Sequence, residues 1–277
     1  MTPDSGRVMI QDTVSSRDGT SIAYWRSGVG PPLLLVHGAV ADHSTTWRLV
    51  LPALEKRFTV CAMDRRGRAG SGDGPAYDLQ REAEDVVAVV QALGGPVSVV
   101  GHSFGALCAA EAARLSPNVH RLVLYEGLPV RGADGFRPGA IDRLETLLAT
   151  GEVEAMLTAM LRDVADLPAQ EIELLRSQRD AWQRRLANVP TVTRELRAEE
   201  RYVFLPERFQ HVKIPTLLLV GGDSPSRELR NAGAVARTLP NARVVILPDQ
   251  QHLAMFTAPD LFVEEVVAFL EGDGRVA

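Results

Sequence analysis

The sequence has little of what staples a secreted domain or anchors a membrane protein. Only two cysteines occur in 277 residues, Cys61 in the apolar run "FTVCAMD" and Cys108 in an alanine-rich stretch. Both read as small buried hydrophobes, which excludes a disulfide framework or a cysteine metal site and makes a reducing cytoplasm the expected setting. No apolar run approaches the ~20 residues that span a bilayer. Residues 1–11 lack the charged-then-apolar pattern of a secretory signal. Positive charge is not in excess: 30 Lys and Arg stand against 35 Asp and Glu, a net charge of −5. That excludes the electrostatic footprint of a nucleic-acid or acidic-lipid partner. The pairs Arg65-Arg66 and Arg184-Arg185 sit among carboxylates and read as solvated or structural. The glycine-rich "DRRGRAGSGD" lacks Gly-Lys-Ser/Thr, and no acidic pair for magnesium follows, so it is not a phosphate loop. No internal repeat or low-complexity segment is present, and the tail, 272–277, reads as frayed.

What is present is an ordinary apolar and charged balance, 45% and 23%, in a chain long enough for one large α/β domain with an insertion. Short apolar runs alternate with helix-period segments. The strand candidates are "SIAYWRS", "PPLLLVHG", "FTVCAMD", "PVSVVGHS", "RLVLYEG", "TLLLVGGD" and "ARVVILPD". Several are unbroken Val/Leu/Ile runs, as expected of strands buried on both faces. Helices are predicted over 45–56, 78–93, 104–115, 226–239 and 259–271. The alternation predicts a mostly parallel, eight-stranded sheet with helices on both faces. Near 12–27 the turn signal "RDGT" predicts an antiparallel hairpin at its edge. From 129 to 211 the rhythm stops, and four segments with helical spacing follow, "AIDRLETLLATG", "EVEAMLTAMLRDVADL", "AQEIELLRSQRDAWQRRLANV" and "TVTRELRAEERY". We read 1–128 and 212–277 as the α/β core and 129–211 as a helical cap over the strand ends. A helical layer without a role in function is the plainer alternative.

Ligands of open parallel sheets bind at the carboxyl ends of the strands. Ser103, Glu126, Asp223 and His252 all fall at such ends, and His37-Gly38 closes another. Ser103 lies in Gly101-His102-Ser103-Phe104-Gly105, between a strand and an alanine-faced helix. A nucleophile raised clear of a sheet needs a very tight turn, and bulky side chains two residues to either side would collide, so glycine takes both places. The strained backbone costs roughly 1–3 kcal/mol and persists only where packing enforces it. The helix N-terminus behind the serine favours developing negative charge. A serine nucleophile needs a base, and the base needs orienting. His252, between the last strand and the last helix, fits best. His43, His120 and His211 read as surface or junction residues, and His102 points away along the turn.

"HGAVADH" after the third strand, "DRRGRAGSGD" after the fourth, "GHSFG" at the elbow and His252 after the last strand occur in an order that resembles the α/β-hydrolase superfamily, over about 22–270. The resemblance implies a Ser-His-acid triad and an oxyanion hole made by the backbone N–H groups of Ala39 and Phe104. It implies no catalytic role for Asp64, whose loop flanks the site. The acid stays open between two residues. In most of the superfamily it comes third after the first glycine that follows the seventh strand. Here Gly221 starts that count, Ser224 takes the third place, and Asp223 arrives one residue early. Glu126, in "LYEGLP", resembles the acid position of zearalenone-type lactone hydrolases.

The expected activity is cofactor-free hydrolysis of a hydrophobic ester, lactone or thioester through an acyl-enzyme. Leu147, Leu148, Met156, Met160, Leu161 and Trp182 of the cap supply core contacts or a mostly apolar pocket wall. Serine at the elbow argues against epoxide hydrolases and haloalkane dehalogenases, which carry aspartate there. Cofactor-free haloperoxidase (perhydrolase), C–C bond hydrolase and acyl-transfer chemistries keep the triad and remain open. So does a small-molecule receptor without turnover. A homodimer is compatible with the sequence.

Overall fold

The computed structural model describes residues 9–272. The expectations that fall on residues 1–8 and on 273–277 of the tail lie outside them. Eight strands form one sheet: β1 Ile10–Ser15, β2 Ser21–Ser27, β3 Pro32–Val36, β4 Thr59–Met63, β5 Val97–His102, β6 Val119–Tyr125, β7 Thr216–Gly221 and β8 Ala242–Leu247. Their order is β1-β2-β4-β3-β5-β6-β7-β8. β1 pairs antiparallel with β2 and β2 with β4; every pairing from β4 through β8 is parallel. The chain leaves β3 for one side of the sheet and β5 for the other, so the crevice beyond their carboxyl ends is the topological switch point.

The strands are buried on both faces because each feeds two cores. Leu33 and Leu35 face one apolar cluster, while Leu34 and Val36, one residue out of phase, face the other. Burial of each such side chain contributes about 1.5–3 kcal/mol. The helices outside the insertion are α1 His43–Thr46, α2 Leu51–Leu54, α3 Leu79–Leu93, α4 Phe104–Leu115, α11 Ser226–Thr238, α12 Ala254–Thr257 and α13 Pro259–Glu271, numbered along the whole chain. α3, α4 and α11 cover one face, and α2 and α13 the other. The helix expected over 45–56 is broken into α1 and α2. Pro52 falls in the first turn of α2, where its missing N–H costs nothing; within a longer helix it would remove a bond and clash with the preceding turn.

Between β6 and β7 lie α5 Ala140–Ala149, α6 Val153–Asp163, α7 Ala169–Ser177, α8 Arg179–Asn188, α9 Val192–Glu200 and α10 Pro206–Phe209, and no strand. The third predicted cap segment is two helices, α7 and α8, divided at Gln178, whose ψ of 74° is not helical. Leu147, Leu148, Met156 and Trp182 join the cluster on the α13 face of the sheet.

The cap is tied down by charge as well as by apolar contact. Arg65, Arg66 and Arg68 are wholly buried, so the solvated reading of Arg65-Arg66 gives way to a structural one. Arg65 donates to Glu82 of α3 at 2.8 Å and to Glu195 of α9 at 2.7 Å, and Arg68 also donates to Glu195. Arg66 is held bidentately by Asp85, at 2.7 Å to each oxygen. The second pair divides: Arg184 is exposed and Arg185 is buried.

Candidate active site

The turn after β5 holds Ser103 at φ 55°, ψ −131°, in a region that few non-glycine residues occupy. The reason for the flanking glycines differs in part from the expected mutual collision. A Cβ on Gly101 would come within 2.6 Å of the Gly105 carbonyl, but one on Gly105 would strike the Val36 and His37 carbonyls at 2.4 Å. The second glycine thus lets α4 press against the end of β3. Val40, at φ 50°, and Glu126, at φ 47°, share this backbone strain beside the same cleft. Strain of this kind, about 1–3 kcal/mol per residue, gathers where geometry has a task. Gly127, also at positive φ, lies so close beneath the serine that a Cβ there would sit 2.2 Å from the Ser103 carbonyl oxygen.

Glu126 and His252 are brought together. The His252 Nδ1–H donates to Glu126 Oε2 at 2.5 Å. Glu126 Oε1 accepts from the Gly221 N–H at 2.9 Å and from the Ser224 hydroxyl at 2.6 Å. Burial pushes the Glu126 carboxyl up, but the bond to His252, its charge, and the Ser224 and Gly221 donors outweigh it and hold the group below its ordinary value. Burial pushes His252 down, yet Glu126 leaves it above the ordinary imidazole value. Asp223 is not brought there. Its side chain is exposed, and its N–H bonds the Gln250 carbonyl at 2.9 Å. Ser224, in the third place after Gly221, turns inward instead and donates to the carboxylate supplied by β6.

The loop carrying His252 is fixed from below by groups the sequence reading did not assign. The Tyr125 hydroxyl donates to the Gln251 carbonyl and accepts the Ala254 N–H at 3.1 Å. The His102 Nε2–H donates to the His252 carbonyl at 2.8 Å, and burial keeps that ring well below the ordinary imidazole pKa and so neutral. His43 is not a loose surface residue: its Nδ1 meets Asp64 at 2.9 Å and its ring stacks on Trp25.

No hydrogen bond joins Ser103 to His252 in this structure, although both line the same cleft and the remaining ring nitrogen of His252 is free of Glu126. Such bonds commonly tighten only when substrate binds. The N–H groups of Ala39 and Phe104 donate to nothing among the described residues. The cleft has two lobes that share Ala39, Ser103, Met160, Ala165 and His252. One, about 740 Å³ measured out to its mouth, is mixed, with Glu126, Glu199, Arg227 and Glu228 on its wall beside Phe136, Val164 and Leu196. The other, about 430 Å³, is lined by Val40, Leu161, Leu167, Leu175, Leu253 and Phe256, with Arg185 among them. The expectation of a mostly apolar pocket describes the second lobe well, while the first combines apolar wall with charged groups. Among the described residues, no group of acidic, histidine or cysteine side chains is arranged to hold a metal, and no helix is long and apolar enough to cross a membrane.

Residues 33–265 match the sequence pattern of the alpha/beta hydrolase family. The chain belongs to that family. An alpha/beta hydrolase from Sphaerobacter thermophilus superposes with a TM-score of 0.80 at 34% identity, covering 94% of this chain and all of that one. The (E)-2-((N-methylformamido)methylene)succinate hydrolase of Acinetobacter baylyi is 25% identical over 268 residues, 95% of this chain and 99% of its own. A non-heme haloperoxidase of Rhodococcus erythropolis is 27% identical, covering 93% of this chain and 98% of its own. The fold is that of an alpha/beta hydrolase throughout, and the named relatives support hydrolysis as the general chemistry.

Proposed function

We propose that this alpha/beta hydrolase cleaves an ester, lactone or thioester of a small molecule through an acyl-enzyme. Ser103 is the nucleophile, His252 the base and Glu126 the acid. The His252 ring takes the hydroxyl proton as Ser103 Oγ bonds to the carbonyl carbon, and the carbonyl π pair moves onto oxygen. The N–H groups of Ala39 and Phe104 receive that oxyanion; one such donor is worth about 2.7–4 kcal/mol of transition-state stabilisation. Collapse expels the leaving oxygen or sulfur, which takes the proton from His252. Water, deprotonated by the same ring, then attacks the acyl carbon; the bond from that carbon to Ser103 Oγ breaks, Oγ takes the proton back from His252, and the acid is released. Glu126 stays ionised, fixes the tautomer with Nδ1 protonated, and stabilises the imidazolium.

The observation that carries this reading is the 2.5 Å contact between Glu126 and His252, in one cleft with a serine held at positive φ. Fluorophosphonate labelling tests it. An adduct should form at Ser103, vanish in His252→Ala, and drop sharply in Glu126→Gln but not in Asp223→Asn. Absence of any adduct on the native protein would instead favour a small-molecule binder. A panel of p-nitrophenyl esters and lactones then defines the acyl group.

Similarity to the R. erythropolis haloperoxidase favours a second reading, in which hydrogen peroxide replaces water as acceptor of the acyl group. Peracid formation from an ester and peroxide, faster than hydrolysis of the same ester, would select it.

A further inference from the structure

Among the described residues four arginines are buried: Arg65, Arg66, Arg68 and Arg185. The first three each meet a carboxylate. Arg185 meets none. It is 4% exposed, and its Nε and Nη2 have no hydrogen-bond partner. Its guanidinium carbon lies 5.7 Å from the centre of the Phe256 ring, four residues beyond His252, which gives the cation an aromatic face but no acceptor. The counter-charge that acts on it is Asp42, which forms no ion pair with it and whose Oδ1 caps α1, accepting the Ser44 N–H at 2.9 Å and the Thr45 N–H at 3.0 Å. Burial pushes Arg185 down to about 10, so it remains a cation at neutral pH.

An unpaired buried charge is costly, and most of the wall around this one is aliphatic or aromatic. Thr46, His102, Ser103 and His252 are the other polar side chains there, none of them an anion. A guanidinium presents a planar fork of donors whose shape fits a carboxylate bidentately. The opposite lobe offers no such cation: Glu199 and Glu228 line it, and its arginine, Arg227, is already paired with Asp166 and Glu228. Of the two sides of Ser103, the one with Arg185 is therefore the one that suits an anionic substituent.

We propose that Arg185 binds a carboxylate of the substrate, so that the enzyme selects acyl compounds bearing a free acid a few bonds from the scissile carbonyl. This deepens the hydrolytic reading and rests on it for turnover, though not for binding. Arg185 is a specificity-determining residue in this scheme, since it does not touch the reacting carbonyl.

The test compares p-nitrophenyl hydrogen glutarate with p-nitrophenyl methyl glutarate, the same ester with its acid capped. In the wild type kcat/KM should favour the free acid at least tenfold, chiefly through KM. In Arg185→Met the ratio of the two should fall at least tenfold, and Arg185→Lys should restore part of it. Equal rates for the two esters in the wild type, or an unchanged ratio in Arg185→Met, would overturn the proposal. Glutarate itself, titrated by calorimetry into Ser103→Ala, gives a readout that needs neither turnover nor an Arg185 variant that folds. Saturable binding supports the anion site even if no ester is cleaved. Failure to bind at millimolar concentration sinks it, even if fluorophosphonate labels Ser103 and the hydrolytic reading stands.

Discussion

On the floor of the cleft, where the strands end, the Glu126 carboxylate and the loop carrying His252 have partners before any ligand arrives: both Glu126 oxygens are engaged, the His252 carbonyl is held by His102, and Tyr125 bonds the His252 loop from both directions. On the roof, α8 contributes a buried arginine with no acceptor, and α9 contributes Glu199, whose carboxyl burial and the charge of Glu228 push up to about 7. A floor whose open groups are Ser103 and the N–H groups of Ala39 and Phe104 suits the same proposed steps on many acyl groups. A roof with a buried, unmet cation is where the proposed selectivity rests. The proposed chemistry on the sheet and the proposed recognition on the insertion thus rest on separate elements, joined by Glu195, by ion pairs such as Arg194–Asp73 and Arg208–Glu111, and by apolar contact.

The comparison breaks most visibly from the floor. Ser103→Ala or His252→Ala should cost on the order of 10⁶-fold in kcat, as for the corresponding members of a triad that acts as a unit. Circular dichroism should show the fold retained. If either variant keeps a tenth of wild-type turnover, the floor is not the catalytic surface. Glu126→Gln should cost about 10⁴-fold, since an amide in that place favours the wrong imidazole tautomer. Asp223→Asn should stay near wild type.

The pH profile sharpens the same assignment. His252 must be neutral to accept a proton, and Glu126 raises its pKa above the ordinary 6.5. The acid limb of kcat/KM should therefore have its midpoint above 6.5, with activity lost below it. Replacing Glu126 by Gln should move that midpoint to lower pH, whereas Asp223→Asn should leave it in place. Stability runs the other way across this limb. The raised His252 pKa contributes stability that is fully present below the unfolded value and is lost as pH rises through the folded one. Glu126, held below its ordinary 4.5, contributes above that value and loses its contribution as pH falls through its folded pKa. Chemical denaturation across pH should show both limbs in the wild type, and Glu126→Gln should flatten them.

Glu195 is where roof and floor meet, and Glu195→Ala would leave Arg65 and Arg68 buried without that counter-charge. Losing one partner of a buried pair typically costs about 3–5 kcal/mol. The loss should appear as a lower denaturation midpoint together with earlier proteolysis within the cap. An unchanged midpoint would mean that apolar packing and the remaining ion pairs, such as Arg194–Asp73 and Arg208–Glu111, hold the roof down without Glu195.

How far the sequence could be read follows the same division. Ser103 and His252 were legible because a tight strand–turn–helix leaves a steric record in Gly101 and Gly105 and because each strand end is a short step from an apolar run. Even there the clash at Gly105 comes from β3, some 70 residues earlier, which local spacing does not show. Pro52 was a visible reason to divide the helix over 45–56; nothing comparable, no proline or glycine, marks the division at Gln178. The burial of Arg65 depends on Glu82 and on Glu195, 130 positions away, and in a linear reading such a charge looks solvated. Arg185 carried no signal at all, since its exposed neighbour Arg184 has the same chemistry and only helix phase and cap placement separate them. The acid stayed open for want of a single offset, although Ser224 held the clue. A hydroxyl standing where a carboxylate is common is a donor waiting for a carboxylate from elsewhere.

That clue yields the smallest of the predicted effects. The Ser224 hydroxyl lies 2.6 Å from Glu126 Oε1, beside the Gly221 N–H. Removing it in Ser224→Ala deletes one hydrogen bond to a charged group, worth about 1.5–3 kcal/mol of stability. Turnover should fall far less than in Glu126→Gln, because the carboxylate and its contact with His252 remain. If Ser224→Ala is as inactive as Glu126→Gln, the hydroxyl and not the Gly221 amide aims the acid, and β7 then contributes to the chemistry through a side chain. If Ser224→Ala changes neither rate nor stability, the Gly221 N–H and the 2.5 Å bond to His252 suffice to hold a buried carboxylate in place, and the floor is more rigid than its count of donors requires.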